Sequence, residues 1–234
     1  MVDILGSIDE KIEKSSLAIE KMQALIRLRY EEYFPDIHKL TGKNVLTLND
    51  VCDRFATGLN PRNNFTLGYG DNYYVTIKNF TTGSIFLDNR CDKVDDEALL
   101  KINNRSDLQK GDVLFSGIGT IGRTYLITEK PINWNISESV FTIRPGKSIT
   151  PEFLYLLLSD YDMQSYATGN ASGSVQKGIR MADLKAYKFN LPETEKIDLF
   201  TQKVSPLFNR IEFIKNQNAS LENLKQLYLK KFFG

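Results

Sequence analysis

The sequence predicts an α+β protein, with one mixed, mostly antiparallel, strand-rich domain flanked by two long coiled-coil-like helices. Three observations carry this. Segments at opposite ends of the chain align with each other and repeat apolar residues at helical spacing. Between them, short β-prone runs alternate with turn formers. One strongly apolar run with a Thr-Pro start reads as the single clear helix among the strands.

The end segments come first. Residues 8–34 (IDEKIEKSSLAIEKMQALIRLRYEEYF) align without a gap on residues 207–233 (LFNRIEFIKNQNASLENLKQLYLKKFF) at an offset of 199. Ile12 meets Ile211, Glu13 meets Glu212, Leu25 meets Leu224, Leu28 meets Leu227 and Phe34 meets Phe233. In the first copy Ile8, Ile12, Ile19, Met22, Ile26 and Tyr33 recur at steps of three, four or seven. In the second, Leu207, Ile211, Ile214, Leu221, Leu224 and Tyr228 do the same, with Gly6, Pro206 and Gly234 read as flanks. A lone amphipathic helix would be an ordinary surface helix. Two with matching patterns predict packing against each other or against a second subunit. In the repeat alignment Ser15 falls on Ile214 and Asn218 on Ile19, and a polar residue on such a seam commonly sets register. Ser15 and Asn218 are therefore assigned that role. The expected boundaries are 1–36, 37–192 and 193–234.

In the middle segment the predicted strands are Asn44–Leu48, Tyr73–Lys78, Gly83–Leu87, Asp112–Phe115, Arg123–Thr128 and Ser139–Arg144. Thr82-Gly83, Lys110-Gly111 and Pro145-Gly146 punctuate them. Thr150-Pro151 opens a helix through Ser159, a further short turn covers Asp183–Ala186, and Tyr187–Leu191 returns to strand. Pro192-Glu-Thr-Glu195 restarts the chain into the terminal helix.

One motif invites a cofactor reading. FSGIG at 115–119 and GIGTIG at 117–122 match the glycine patterns of S-adenosylmethionine and dinucleotide sites. That chemistry needs a helix after the glycine turn, so that its N-terminus receives the ligand. The residues after the turn are instead Arg123-Thr-Tyr-Leu-Ile-Thr128, rich in β-branched side chains. A strand–turn–strand reading fits better, and no cofactor is assigned to this chain. Neither a Pro-Cys dipeptide nor an Asn/Asp-Pro-Pro-aromatic tetrapeptide of the methyltransferases occurs, and no paired-carboxylate nuclease motif stands out. No catalytic residue is assigned.

Composition narrows the class further. No apolar run reaches the roughly 20 residues of a membrane span. MVDILGSIDEKIEK lacks the basic and apolar regions of a secretory signal, so the expected location is cytoplasmic. Cys52 and Cys91 read as reduced thiols, and with His38 as the sole histidine no metal site is assigned. A net charge of +1 argues against broad polyanion binding but not against a reader that shares its grip with partners.

Three blocks now stand together: LGSIDEKIE at 5–13, GDVLFSGIGTIGRTYLI at 111–127 and GSVQKGIRMADLKAYKFNLP at 173–192. In this order, and with the helical repeat, nearly the whole chain resembles the specificity subunit of type I restriction-modification systems. The resemblance implies a target recognition domain that reads half of a split double-stranded DNA sequence. It implies long antiparallel helices that space two such domains and dock the modification (methyltransferase) subunits. S-adenosylmethionine and ATP then belong to partner subunits, the latter to a restriction subunit that translocates DNA. The family's usual order is domain, helix, domain, helix, whereas here a single recognition domain lies between two spacer helices. A homodimer and a palindromic split site are the expectation. A 27-residue helix is roughly 40 Å long, near the 34–36 Å turn of B-DNA, and suits a spacing rod.

Candidate DNA contacts are assigned from residue chemistry. Ser174, Gln176, Lys177 and Arg180 lie in a basic polar segment, where Gln suits adenine and Lys or Arg suits guanine or phosphate. Arg62, Asn63 and Asn64 form a second polar loop of matching types. Gly119, Thr120 and Arg123 belong to the glycine turn, whose backbone N–H groups can meet phosphate. A solvated loop or a plain glycine hairpin is the bland alternative. The competing functional readings are a methyltransferase fragment binding S-adenosylmethionine through FSGIGTIG, and a coiled-coil interaction module that never touches DNA.

Overall fold

The computed structural model describes residues 2–173 and 177–233, which fall into two compact units. One unit holds residues 1–34 and 199–234, the other Pro35–Asp198.

The first unit is a pair of helices, α1 (Val2–Tyr33) and, from Leu199 onward, a final long helix that spans Thr194–Phe233. They run antiparallel. Ser15 Oγ donates to Asn218 Oδ1 at 2.7 Å, Asp9 meets Lys225, and Tyr30, Tyr33 and Phe34 ring the side chain of Phe200. Partners thus descend along one helix as they ascend along the other. The repeat alignment sets Ser15 opposite Ile214; the antiparallel arrangement joins the two polar seam residues to each other instead. Ile8, Ile26, Ile211 and Ile214 are buried. Ile12, Ser15, Ile19, Met22, Leu207, Asn218 and Leu221 are half-buried. Leu224 is 41 % exposed and lies outside the seam, where Lys225 beside Asp9 takes its place.

Both helices exceed the expected 27 residues. At 32 and 40 residues they run about 48 and 60 Å. Gly6 and Pro206, read as flanks, lie inside them. Proline removes one ladder hydrogen bond and crowds the preceding turn, at about 3 kcal/mol. Burial of Phe200, Val204 and Ile211 on either side holds the helix through it, at roughly 1.5–3 kcal/mol per fully buried large apolar side chain.

The second unit is strand-rich. Its early strands are β1 (Val45–Thr47), β2 (Cys52–Thr57), β3 (Asn72–Val75), β4 (Phe80–Thr81), β5 (Ser84–Ile85) and β6 (Asp92–Val94). The later strands are β7 (Val113–Ser116), β8 (Thr124–Leu126), β9 (Trp134–Ile136), β10 (Val140–Pro145) and β11 (Lys188–Asn190). Its helices are α2 (Leu48–Val51), α3 (Asp96–Ser106), α4 (Pro151–Ser159), α5 (Tyr161–Gly169) and α6 (Met181–Lys185), and the final helix is α7. The main sheet runs β2-β10-β7-β8, all antiparallel, and a second runs β6-β3-β9 with one parallel pair, β3·β9. Two-stranded ladders β1·β11 and β4·β5 complete the pairing of the named strands. The predicted "mostly antiparallel" holds.

The elements arise from their residues. β7 reads VLFS and is buried throughout, as a central strand with apolar runs on both faces must be. α4 starts where Thr150 accepts from the Phe153 N–H with Pro151 in the first turn, and its nearly all-round apolar face is buried at Phe153, Leu154 and Leu156–Leu158. α3, which has no counterpart among the predicted elements, is capped by Asp95 accepting from Ala98 N–H and ends at Asp107 in the left-handed region (φ 49°). One core cluster joins Val75, Phe80, Leu114, Ile127, Ile136 and Val140; a second joins Tyr74, Val94, Ala98 and Ile102. Between strands, Arg144 Nε and Nη2 grip both oxygens of the buried Asp112 at 2.7 and 3.0 Å.

Candidate nucleic-acid interface

The glycine motif lies in a strand–turn–strand, β7 to β8, with no helix after it. Buried Ser116 closes the turn. Its N–H donates to Arg123 O at 2.9 Å, its hydroxyl donates to Thr120 O at 2.5 Å, and that same hydroxyl accepts from Arg123 N–H at 2.8 Å. Gly119 and Gly122 take φ of 82° and 91°, which disfavours any side chain. Gly117 is required for another reason: a Cβ there would lie 2.3 Å from the Phe141 ring. At Gly122 the Gln164 amide fills the space a Cβ would take, donating to Gly122 O at 2.9 Å.

The turn is not isolated. Ile118 bridges Gly178, and Gly178 bridges Ser172, so three chain segments lie side by side. Gly119 N–H donates to Lys177 O at 2.8 Å, and Ile179 N–H donates to Gly117 O at 2.9 Å. Gly178 fits this layer because a Cβ there would lie 3.2 Å from Gly117 O. Segments 117–122 and 177–180, more than 50 positions apart, are thereby one surface element on which Thr120, Lys177 and Arg180 are exposed. Ser174 and Gln176 lie outside the described residues. Arg123 points inward: its Nη1 donates to the carbonyl of Ile77 and, at 3.0 Å, to that of Phe80. It fastens the turn to the chain before β4.

The second candidate loop has its own support. Arg62, Asn63 and Asn64 are exposed on a turn in which Asn64 N–H and Phe65 N–H both donate to Pro61 O. Asn64 Nδ2 donates to Asn60 O at 2.8 Å, and Arg62 N–H donates to Asn60 Oδ1 at 3.1 Å. Asn60 in turn donates to Glu138 Oε1 at 2.7 Å, and the Tyr74 hydroxyl lies 2.8 Å from Leu59 O and 3.2 Å from Glu138 Oε2. Burial, and then the nearby Glu138 carboxylate, raise the Tyr74 phenol above its ordinary pKa and keep it a donor. Tyr74 is core, Tyr73 is half-buried under Lys93, and Tyr69 is 65 % exposed.

The two candidate segments share an anchor. Glu138 holds the Asn60 loop, the neighbouring Ser139 carbonyl accepts from Gly117 N–H at 3.0 Å, and Gly58 packs directly on the carbonyls of Ile136 and Ser137. The short β9–β10 connection therefore supports both. Glu138, Ser116 and Gln164 do not stand out in the sequence, because each acts through a partner with no local signature.

A family model for the type I restriction modification DNA specificity domain matches residues 41–223. The EcoBI type I restriction enzyme specificity subunit of Escherichia coli is 33 % identical over 153 residues, covering 60 % of this chain and 32 % of that protein. The HindI specificity subunit of Haemophilus influenzae is 28 % identical over 131 residues, covering 54 % and 28 %. Among solved structures, a type I restriction-modification S subunit from M. genitalium matches with a TM-score of 0.65 at 16 % identity, over 99 % of this chain and 59 % of that one. The HsdS subunit from Thermoanaerobacter tengcongensis matches at 0.53 and 16 %, over 98 % and 55 %. These structural likenesses carry the fold. The chain spans about a third of the length of the curated relatives and less than three-fifths of the solved ones.

Proposed function

Because the chain belongs to the family of type I restriction-modification DNA specificity domains, we propose that it reads one half of a split double-stranded DNA target, as a recognition component and not a catalyst. The reading unit is residues 37–192, and the long helices at 1–36 and 193–234 are its spacers. The observation that supports this best is the layered element of residues 117–122 and 177–180, which holds exposed Thr120, Lys177 and Arg180 on a backbone bonded across the layer. Hydroxyl, ammonium and guanidinium donors on a rigid turn are what phosphate positioning and base-edge reading require. The Arg62–Asn64 loop, held through the same β9–β10 connection, supplies further donors and acceptors, and Ser174 and Gln176 belong to the same assignment.

The helices carry the partner surface. Leu17 and Leu28 on α1, and Phe213, Leu224 and Leu227 on α7, are 41–65 % exposed. By the 100° step of a helix they lie away from the shared seam. Exposed apolar stripes of this kind mark protein contact and suit docking of the methyltransferase subunits, with a restriction subunit joining the assembled complex. S-adenosylmethionine and ATP are assigned to those partners. Pairing with a second copy, hence two identical readers and a palindromic site, is inferred from the single recognition domain here where the family's usual order has two. The test is a methylome of cells expressing this chain with its modification subunit. A split palindromic motif is the expected result; methylation without sequence preference overturns the reading. Replacing Lys177 and Arg180 together by Ala is expected to lower affinity or relax one half-site, and an unchanged motif with unchanged affinity removes them from the interface.

A further inference from the structure

His38, Asp160 and Asp162 form a cluster that plays no part in the proposed DNA reading. His38 lies in the segment that opens the second unit, and the two carboxylates straddle the first turn of α5. His38 Nε2 is 3.0 Å from Asp160 Oδ2 and 3.4 Å from Asp162 Oδ2, and the three ligand atoms all lie within 4.8 Å of one another. Donor atoms 2.0–2.2 Å from a common metal ion and separated by 90–110° lie about 3–3.5 Å apart. The two separations from Nε2 fall in that range.

Three details make this more than a charge pair. First, Nε2 is shielded from solvent and faces both carboxylates, Asp160 in an ion pair and Asp162 a little further off, so the ring proton that joins Nε2 to Asp160 is the one a metal ion would replace. Second, the other ring nitrogen is held: Nδ1 lies 3.2 Å from the hydroxyl of Tyr187, itself buried and packed edge-on against Tyr166. An oriented imidazole with its far nitrogen hydrogen-bonded is the usual state of a metal-binding histidine. Third, Asp160 Oδ1 accepts from Asp162 N–H at 3.2 Å as the α5 cap, which leaves Oδ2 as the oxygen turned to His38.

We propose that His38, Asp160 and Asp162 bind one divalent transition-metal ion of the zinc class, clamping the 35–40 segment to the α4–α5 junction. One imidazole with two carboxylates suits zinc or manganese better than magnesium, which prefers all-oxygen octahedral sites. A fourth position remains for water. The sequence argues against a metal site because its only histidine stands 122 positions from the nearer of its carboxylate partners, and only the fold joins them.

The experiment is titration of the purified full chain with zinc chloride by calorimetry, with magnesium and manganese in parallel and folding followed by circular dichroism. The expected result is saturable binding of one zinc per chain, at least tenfold tighter than magnesium. His38→Gln and the exposed-site variant Asp162→Asn should each weaken it at least tenfold without unfolding the protein. Tyr187→Phe should weaken it about tenfold, as loss of an orienting partner does. Two outcomes overturn the proposal: no saturable binding at millimolar zinc, which makes the cluster an ion pair only, or equal binding by wild type and His38→Gln, which moves the ion to the thiols of Cys52 or Cys91. Neither outcome depends on DNA reading.

Discussion

Replacing Gly117 by Ala tests the layered element most directly. The new Cβ would lie 2.3, 2.5 and 2.7 Å from Cζ, Cε2 and Cε1 of Phe141. That ring is 5 % exposed on a strand paired on both sides, so it has little room to swing away. Relief must come from the turn's backbone. Any outward shift loosens the Gly117 N–H bond to Ser139 O, the Ile179 N–H bond to Gly117 O and the Gly119 N–H bond to Lys177 O. Overpacking of this kind costs about 1–3 kcal/mol, and for a unit of this size each kcal/mol moves Tm by about 2–4 °C. The expected drop is therefore roughly 2–12 °C by calorimetry. DNA affinity, measured in a reconstituted complex well below the transition, should fall as well, because Lys177 is displaced while the sheet survives. Phe141→Leu alone should also destabilise, but it removes the ring edge that clashes. The double variant should then be more stable than the sum of the two losses by about 0.5–3 kcal/mol. Strict additivity, or Gly117→Ala at wild-type stability, would refute the reasoning.

Other single contacts give further expected outcomes. Arg144→Met leaves Asp112, 1 % exposed, without its bidentate partner, and a loss of about 3–5 kcal/mol in urea unfolding is expected. Arg144 is also the main cause of the lowered Asp107 pKa. The stabilisation from Asp107 is present above about pH 4 and fades as pH falls through its depressed folded value, so Arg144→Met should flatten the acid side of the stability profile. Asn218→Leu removes one seam hydrogen bond, but the single Ser15 hydroxyl proton can then turn to Ile12 O, which lies 2.9 Å away; a change within about 1 kcal/mol by thermal melting is expected, and a loss above about 2 kcal/mol would give the pair a larger role. Gly58→Ala puts a Cβ 1.6 Å from the Ile136 carbonyl oxygen, which only backbone movement can relieve. A loss of at least about 2 kcal/mol by the same melt is expected.

Much of this architecture is legible in the sequence because it is written in local patterns. The seven-residue and three-to-four-residue apolar steps in α1 and α7 need no tertiary knowledge, nor does the Thr150-Pro151 start of α4. The failed helix after GIGTIG is readable from the β-branched run beginning at Thr124. The features that escape depend on long-range partners. β2, CDRFAT, mixes the β-favouring Phe55 and Thr57 with Asp53, Arg54 and Ala56, too weak a pattern to stand out, and it is a strand because β10 pairs with it along most of its length. α3 reads DEALLKINNRS, with a mean hydropathy too low to stand out, and is held by Ala98, Leu99 and Ile102 against the core. Pro206 looks like a terminus because propensity ends a helix there, and packing overrides propensity. At the candidate interface, Lys177 and Arg180 are suggested by residue type, but their union with the glycine turn rests on Gly178 lying against Ile118 and Ser172, which no spacing rule encodes.

The β1·β11 ladder pairs Val45 with Asn190 and Thr47 with Lys188. The chain therefore goes into the bulk of the second unit and comes back out about 5 Å apart, the width of one strand pair. The stretch from residue 48 to residue 187 enters and leaves through that two-stranded neck. Recombination that cuts at the neck would exchange the unit whole, since the ends to be rejoined already lie side by side. If the unit reads DNA as proposed, a single crossover at the neck would bring in a new target sequence whole, rather than by accumulated point changes in the reading surface.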